Sequence, residues 1–585
     1  MAMRDSHEFT LSDEQVAARD CPDRFVAVLA SAGSGKTEVV AQRVERILAT
    51  GGGFRVVALS YTRRAAAELR YRFSLRLGPA EKRVDTDTIH GFAHRLLLQY
   101  GTWIGLPSEP SVVASDADRV ALLQDWREAS GLPLLEDPKA EFDRIDLARA
   151  RMQPSSAASD WESAMAEAGA LDYESMLTKA AELLQLPAVA ALIARLYRHM
   201  VVDEAQNLTA SQYELLKCIA KAGESESSLV LVGDDKQSIV GFAGASPDYL
   251  RDFVRDFDAT VIRLSQNFRS AARIVEAGCA IAAALGDPEP REQDYAAEGL
   301  MQRIDFADEV SEAAGVAGWV RELTATGVPE SAVAPGEDLI LVPAEIAILG
   351  RTARSLRACE RALEAQGFQV NLASHADDWL TSETVRKAWL LSSFKPESSV
   401  SRRRVERELD LKASTADELF TAATERGFGT LAEFARMDGP ADFVEAIAAL
   451  QIDDAYLEGD QEEVAAAWQG FCDHSARDER SWSQFELFVA RRQAGDREHT
   501  GIHLLTVHKA QGREYKAVAV VGLNDGQFPD FRARSNDEVE AELRAFYVAI
   551  TRPSRVLLLT RPASITTRNG QWQREPSRFL RHLPQ

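Results

Sequence analysis

The sequence predicts an α/β protein of several domains. Its 585 residues exceed what one hydrophobic core can hold, and the usual domain size gives about three to five. Short apolar runs at Phe25–Leu29, Arg55–Ser60 and Leu229–Val232 read as buried strands. Each gives way to a polar or glycine-rich turn, and the first two of these turns open helices. A hydrophobic fraction of 45% and a charged fraction of 27% are those of a soluble globular chain, and no run of eighteen apolar residues could span a membrane. Met1 to Thr10 carries no apolar signal core, so a cytoplasmic protein without a membrane partner is expected. The five cysteines, Cys21, Cys218, Cys279, Cys359 and Cys472, form no CxxC pair, which argues against a disulfide framework or a zinc or iron–sulfur knuckle. A net charge of -23 argues against a broad basic surface of the histone kind; a nucleic-acid partner would lie in a local groove.

In chain order, Leu11 to Gln15 reads as a helix start with Ser12 as its cap, and the Gln15 amide suits an adenine edge. Next comes the turn Ala32-Gly33-Ser34-Gly35-Lys36-Thr37, between the first strand and a helix beginning near Lys36. Its glycines let successive backbone N–H groups point inward as an anion nest. Lys36 would reach the β and γ phosphates of a nucleotide, the Thr37 hydroxyl would ligate Mg²⁺, and the helix N-terminus would add partial positive charge. Arg55–Ser60 is followed by Tyr61-Thr62-Arg63-Arg64, an aromatic, a hydroxyl and two cations that suit a stacked base and a phosphate. Asp87 to His94 adds Thr88, His90 and Phe92; His90 and His94 are four apart but have no third ligand, which disfavours zinc. Residues 107–187 read as a helical insertion without strand-like runs.

The stretch Tyr197 to Gln206 reads as a short strand ending in two adjacent carboxylates, Asp203 and Glu204. Alternation along a strand would let Asp203 bind Mg²⁺ while Glu204, facing the other way, orients and deprotonates a water. The strand Leu229–Val232 leads to Gln237, whose amide suits the γ-phosphate, and to Phe242, which could stack a base. Ile262 to Ser270 places Phe268 directly before Arg269. The acidic stretch 453–463 lacks the spacing of a calcium loop and reads as a solvated helical face.

Gly-Ser-Gly-Lys-Thr, Asp-Glu-Ala-Gln, Gly-Asp-Asp-Lys-Gln-Ser-Ile and Gln-Asn-Phe-Arg-Ser, in this order, resemble the UvrD/Rep/PcrA family of superfamily 1 DNA helicases. Gly501 to Phe528, Glu540 to Arg552 and Pro576 to Leu580 resemble the family's later motifs. The resemblance implies two RecA-like parallel-sheet motor domains, each interrupted by a mainly helical insertion. The first motor would be 1–106 plus 196–275 with insertion 107–195; the second would be 276–378 plus 500–585 with a short insertion 379–499. The cofactors implied are ATP and Mg²⁺.

By this match the nucleotide is held by Gln15, the loop from Ala32 through Glu38, Phe268 stacking on adenine, and Glu514 on the ribose. Lys36, Thr37, Asp203, Glu204 and Gln237 form the catalytic set, Thr37 and Asp203 hold the metal, and Arg269 and Arg552 enter as arginine fingers. Arg351-Thr352 matches a segment beside the nucleotide cleft. DNA would contact Tyr61, Thr62, Arg63, Thr88, His90, Phe92, Phe242 and His508. The activity implied is 3′-to-5′ translocation on single-stranded DNA and unwinding of 3′-tailed duplexes, in repair, replication or defence. The alternative is a DNA-stimulated ATPase subunit that regulates or loads a partner nuclease in a repair or anti-phage complex. It is motivated by departures from the family pattern, namely Val240 where a Tyr is common near the DNA, Ala243 where an Arg is common, and the short second insertion. The chain also ends where many relatives carry a tail that recruits partners. No nuclease constellation is attached to the motors.

Overall fold

The computed structural model describes residues 11–108, 110–113, 115–222, 227–287, 294–372, 382–451, 457–474, 480–493, 501–567 and 570–584. Met1 to Thr10, the expected boundaries at 378/379 and 499/500, and the first residues of the acidic stretch 453–463 lie outside them. The chain divides into two compact units, Met1–Ile89 with Ala191–Ser374 and Arg497–Gln585, and His90–Ala190 with His375–Asp496. Among the described residues no single helix is long and apolar enough to cross a membrane.

The first unit contains two sheets. Strands β1 (Phe25–Ala30), β2 (Arg55–Ser60), β3 (Val84–Thr88), β4 (Tyr197–Asp203), β5 (Ser228–Gly233) and β6 (Thr260–Leu264) pair in the order β3-β2-β4-β5-β1-β6, all parallel. Parallel strands covered on both faces read as near-continuous apolar runs, which is why VAVLA and VVALS were visible as strands. After β1 the chain crosses one way to β2, and after β5 it crosses back over β1 to β6, so the order reverses beside β1. The crevice beyond the carboxyl ends of strands at such a reversal is where open α/β sheets bind ligands. Helix α1 (Asp13–Asp20) starts at the Ser12 cap, α2 (Lys36–Ala49) follows β1, and α3 (Arg63–Leu77) follows β2 with Thr62 as its cap. Val39, Val40 and Val44 of α2 share one core with Val26, Val28, Val201 and Val230 of the sheet.

The second sheet comprises β7 (Leu300–Asp308), β8 (Ile346–Gly350), β9 (Val370–Leu372), β10 (Ile502–Thr506), β11 (Tyr515–Val520), β12 (Pro553–Thr567) and β13 (Gly570–Gln573). Their order is β9-β10-β8-β11-β12-β13 with β7 also on β12, parallel except for the β12–β13 hairpin. Period-two alternation divides its core into two faces. Ala347, Leu349, Val518, Val520, Leu557 and Leu559 point to one, where they meet Phe546 and Tyr547 of helix α4 (Asn536–Ile550). Ile346, Ile348, Ala517, Ala519, Val556 and Leu558 point to the other. Two RecA-like motor domains result. Ile239 and the helix Ala272–Ala284 belong to the second sheet's core, so the chain has left the first motor a few residues before the expected 275.

The second unit begins at His90, where the first insertion was expected to begin at 107. It contains a short parallel pair, Ser111–Val112 with Ala170–Leu171, too short to leave a pattern in the sequence. Buried Asp118 of the first insertion accepts hydrogen bonds from Arg404 and Arg407 of the second, at 3.0 Å each, and Val400 joins the core around Trp161. The two insertions therefore form one body.

That core is fastened by Asp172, which caps the helix Tyr173–Leu183 and accepts from Arg149 at 2.5 and 3.1 Å and from the Trp161 indole at 2.7 Å. Burial works against the charge, but Arg149 and these hydrogen bonds outweigh it and hold the Asp172 carboxyl at about 2, against 3.8 ordinarily. Because the folded value is depressed, this stabilisation is complete above the ordinary value and is lost as pH falls from there through about 2. Asp172→Asn leaves buried Arg149 with only the exposed Glu162 carboxylate at 3.5 Å and is expected to cost about 3 kcal/mol in urea unfolding at pH 7. The same variant should flatten the acid limb of the stability curve.

Candidate nucleotide cleft

The turn after β1 depends on two glycines in left-handed backbone, Gly33 at φ 76° and Gly35 at φ 77°. A Cβ at Gly33 would lie 2.6 Å from the Asn267 amide nitrogen, and one at Gly35 would lie 2.8 Å from that of Gln15. Both positions thus need glycine for conformation and for space. Asn267 donates to the Ala32 carbonyl at 2.8 Å and accepts from the N–H groups of Arg269 and Ser270 at 3.0 and 2.8 Å, while the Phe268 N–H donates to the Gly33 carbonyl at 2.9 Å. The loop carrying the first arginine is therefore clamped to the phosphate loop. Asn267 stands inside the motif quoted for Phe268 and Arg269, but its role depends on a partner 235 residues away.

Gln15 departs from expectation. It is 1% exposed, accepts from the Ser12 N–H at 3.0 Å and donates to the Ser34 carbonyl at 3.0 Å. Its amide is spent on capping α1 and bracing the phosphate loop, and it does not line the cleft. Contact with an adenine edge would require it to exchange the Ser34 bond for the base.

Asp203 ends β4 and is 3% exposed, with its Oδ2 accepting from the Thr37 hydroxyl at 3.4 Å. Burial, then the neighbouring Glu204, raises its pKa; Lys36 opposes the shift. A buried carboxylate under such strain beside a hydroxyl fits a divalent cation, which would relieve the repulsion. Glu204 lies beyond the strand. Its φ of 57° and ψ of 36° are left-handed, so local backbone rather than strand alternation turns it away from Asp203. For a non-glycine residue this conformation costs about 1–3 kcal/mol and is held in place by its surroundings. Gln206 donates to the Glu204 carboxylate at 2.6 Å and accepts from the Asp234 N–H at 3.2 Å, fixing the acid's direction.

From the second sheet's side comes Arg552, 3% exposed at the end of the turn after α4. It donates to the Gln237 side-chain oxygen at 2.9 Å and to the carbonyls of Val548 and Arg513 at 3.0 and 3.2 Å. Burial, then the Arg269 cation, lowers its pKa to about 10. Gln237 in turn donates to Asp234 at 2.8 Å. Arg269 donates to the Thr551 carbonyl at 2.7 Å and pairs with Glu514. Against the cost of desolvation, Arg269 with Arg552 and Lys36 holds the Glu514 carboxyl below its usual range.

These groups enclose a cleft of about 540 Å³, lined by Ala32, Gly33, Ser34, Gly35, Lys36, Thr37, Glu38, Asp203, Glu204, Gln237, Phe268, Arg269, Glu514 and Arg552. Three further cations line it: Arg64, one of the pair read after β2 as suited to a phosphate, and Arg72 and Arg76, which the sequence reading does not single out. Glu38 accepts from Gln42 at 2.7 Å and pairs with Arg72 and Arg76, which ties the start of α2 to α3. Cations drawn together from two sheets, around a nest of N–H groups and a carboxylate pair, suit a polyphosphate with a bound metal.

A family described as the UvrD/REP helicase N-terminal domain matches residues 11–258, and the UvrD-like helicase C-terminal domain matches residues 485–563. Together they cover more than half of the chain. The protein belongs to the UvrD/Rep helicase family. The ATP-dependent DNA helicase UvrD2 of Mycobacterium tuberculosis strain H37Rv is 30% identical, over 97% of this chain and 81% of its own length. The mycobacterial UvrD1 helicase is 29% identical over 95% and 83%, and DNA helicase II of Escherichia coli K12 is 26% identical over 98% and 88%. This UvrD/Rep-type chain is accordingly an ATP-hydrolysing DNA helicase.

Of the residues expected to meet DNA in this helicase, Tyr61 is half-buried, Thr62 accepts from the Ala65 N–H at 3.2 Å, and Arg63 opens α3. Phe242 is 70% exposed, and its ring meets His508 edge-on at 5.5 Å. Burial and the Arg351 cation push the His508 imidazole down to about 4, so at neutral pH the ring carries no charge. Thr88 is buried at the end of β3, and the Phe92 ring is fully buried, so Phe92 packs in a core and does not offer a face to a base. His90 and Phe92 belong to the other unit, where His90 stands edge-on to Tyr173 at 5.7 Å. Arg351, expected beside the cleft, is not among its lining residues and donates to the Glu542 carboxylate at 2.7 Å, and Val240 packs against the second sheet's core.

Proposed function

We propose that this helicase moves 3′ to 5′ along single-stranded DNA and displaces the complementary strand from 3′-tailed duplexes. The observation that carries the reading is the cleft itself, to which the first sheet contributes Lys36 and Glu204 and the second contributes Arg552. Hydrolysis then requires both motors at once, and their separation afterwards is a step.

In this reading Lys36 and the loop N–H groups hold the β and γ phosphates, and Phe268 stacks on the adenine. Thr37 and Asp203 would hold Mg²⁺, whose charge would offset that of the phosphates. Glu204 takes a proton from the attacking water, Gln237 meets the γ-phosphate, and Arg269 and Arg552 neutralise the transition state. For Glu514 to reach the ribose, Arg269 must exchange that carboxylate for phosphate. The segment after β5 connects the two tasks: Gln237 touches Arg552, Ile239 and Val240 sit in the second core, and Phe242 is exposed beside His508. A shift at Gln237 therefore moves the ring proposed to hold a base. DNA held by stacking and phosphate contacts gives weak sequence preference.

Phe242→Ala should weaken binding of single-stranded DNA by about 1–3 kcal/mol, the worth of one stacked base, without changing ATP affinity; fluorescence anisotropy with a labelled oligonucleotide reads the first and binding of a fluorescent ATP analogue the second. Polarity is tested by strand displacement on duplexes with 3′ or 5′ tails. Unwinding confined to the 3′-tailed substrate is expected, and preference for the 5′ tail would overturn the polarity. DNA-stimulated hydrolysis without unwinding by the isolated chain would favour the second reading, an ATPase that acts through a partner; the comparisons give a partner nuclease no support.

A further inference from the structure

At the amino ends of the same parallel strands lies a second cavity, also of about 540 Å³. Its walls come from residues at the starts of β1, β2, β4 and β5 and from the last turns of α1 and α2. Five arginines line it, Arg19, Arg24, Arg43, Arg46 and Arg198, against one carboxylate, Asp23. In a chain of net charge -23 this is a pronounced local reversal of sign.

Arg19 and Arg46 both reach Asp20, at 2.7 and 3.2 Å, and Arg24 donates to the Ser227 carbonyl at 2.8 Å. Arg43 is placed differently. It is 6% exposed, and its Nη1 donates to the carbonyls of Ala18 and Arg19 at 2.7 and 3.4 Å. Its Nε has no acceptor, and among the described residues no carboxylate is paired with it. Desolvation holds the guanidinium below its ordinary range. Asp20 and Asp23 act on this buried cation only from a distance, and an anion in the cavity would supply a direct counter-charge.

The remaining wall selects the kind of anion. His199 is pushed down to about 4 by burial with Arg198 and Arg43, so at neutral pH it offers hydrogen bonding without charge, its Nδ1 lying 2.8 Å from the Ser228 hydroxyl. The Phe54 ring is met edge-on by His199 at 4.8 Å and covered by the Arg83 guanidinium at 5.1 Å, which occupies the surfaces a nucleobase would stack on. Guanidinium forks match phosphate oxygens in geometry and charge. We propose that this cavity is a second anion site, taking a phosphate-bearing small molecule whose phosphoryl group sits at Arg43, with Arg24 and Arg198 beside it. Helix α2 carries Lys36 at its start and Arg43 seven residues on, so the two sites lie about 10 Å apart along one helix axis.

The test is isothermal titration of inorganic pyrophosphate, and separately of a phosphate monoester such as glucose 6-phosphate, into the full chain with its nucleotide cleft saturated by ADP and Mg²⁺. One equivalent is expected to bind, and the tighter of the two probes identifies the source as inorganic or organic phosphate. Affinity should fall at least tenfold in Arg43→Gln and in Arg198→Gln. Arg198 is half-buried near the start of β4, and its variant keeps the test valid if Arg43→Gln fails to fold. No binding of either probe to the ADP-filled chain, or equal affinity in wild type and Arg198→Gln, would overturn the proposal. So would displacement of the probe by a single-stranded oligonucleotide, which would assign the cavity to nucleic acid.

Discussion

Glu204→Gln is expected to keep its affinity for ATP and to hydrolyse it about 10²–10⁴ times more slowly, the range contributed by a positioned general base. The substitution is nearly isosteric, so the left-handed backbone at this residue and the hydrogen bond from Gln206 at 2.6 Å can both persist. What disappears is the capacity to accept a proton. Asp203 cannot take over, because it is buried against Thr37 in the position suited to the metal. Equilibrium binding of a fluorescent ATP analogue, measured beside single-turnover hydrolysis, separates the two effects. Normal turnover in this variant would remove Glu204 from its assigned role.

Arg552→Ala should lower the hydrolysis rate by about 10³–10⁵-fold, the usual contribution of an arginine finger. The expectation is this large because the guanidinium is already desolvated and aimed, with its fork on Gln237 at 2.9 Å, so little reorganisation remains to be done when phosphate arrives. Removing a buried side chain also leaves Gln237 without its partner, and a thermal midpoint must accompany the rate. Arg552→Lys separates the contributions. It restores charge and part of the volume but cannot reach Gln237 and phosphate with one planar fork, so it should recover stability more than rate. Recovery of full rate in Arg552→Lys would reduce the residue to a generic cation.

Features that repeat along the chain were legible in the sequence. Buried strands announced themselves as apolar runs, and the Ser12 cap and the glycine turn before Lys36 are local chemistry that tertiary structure had no reason to override. The carboxylate pair was legible for its residue types but not for its geometry, since Glu204 turns by backbone conformation that no side-chain pattern encodes. Residues whose work is to join distant segments were missed. Asn267, Gln206 and Gln511, which donates to Asn207 at 3.1 Å and to the Gln237 carbonyl at 2.8 Å, are amides with no periodic signature. The union of the two insertions rests likewise on Asp118 meeting Arg404 and Arg407, 286 and 289 residues away. Phe92 shows the opposite failure, for an aromatic within a motif cannot declare from sequence whether it faces a ligand or a core.

Steady-state ATP turnover by the intact chain, with and without single-stranded DNA and across a range of oligonucleotide concentrations, tests the coupling between cleft and DNA most directly. Saturable stimulation by DNA in wild type, reduced in Phe242→Ala and absent in Lys36→Ala, is the predicted result. Turnover that does not respond to DNA at any concentration would contradict it.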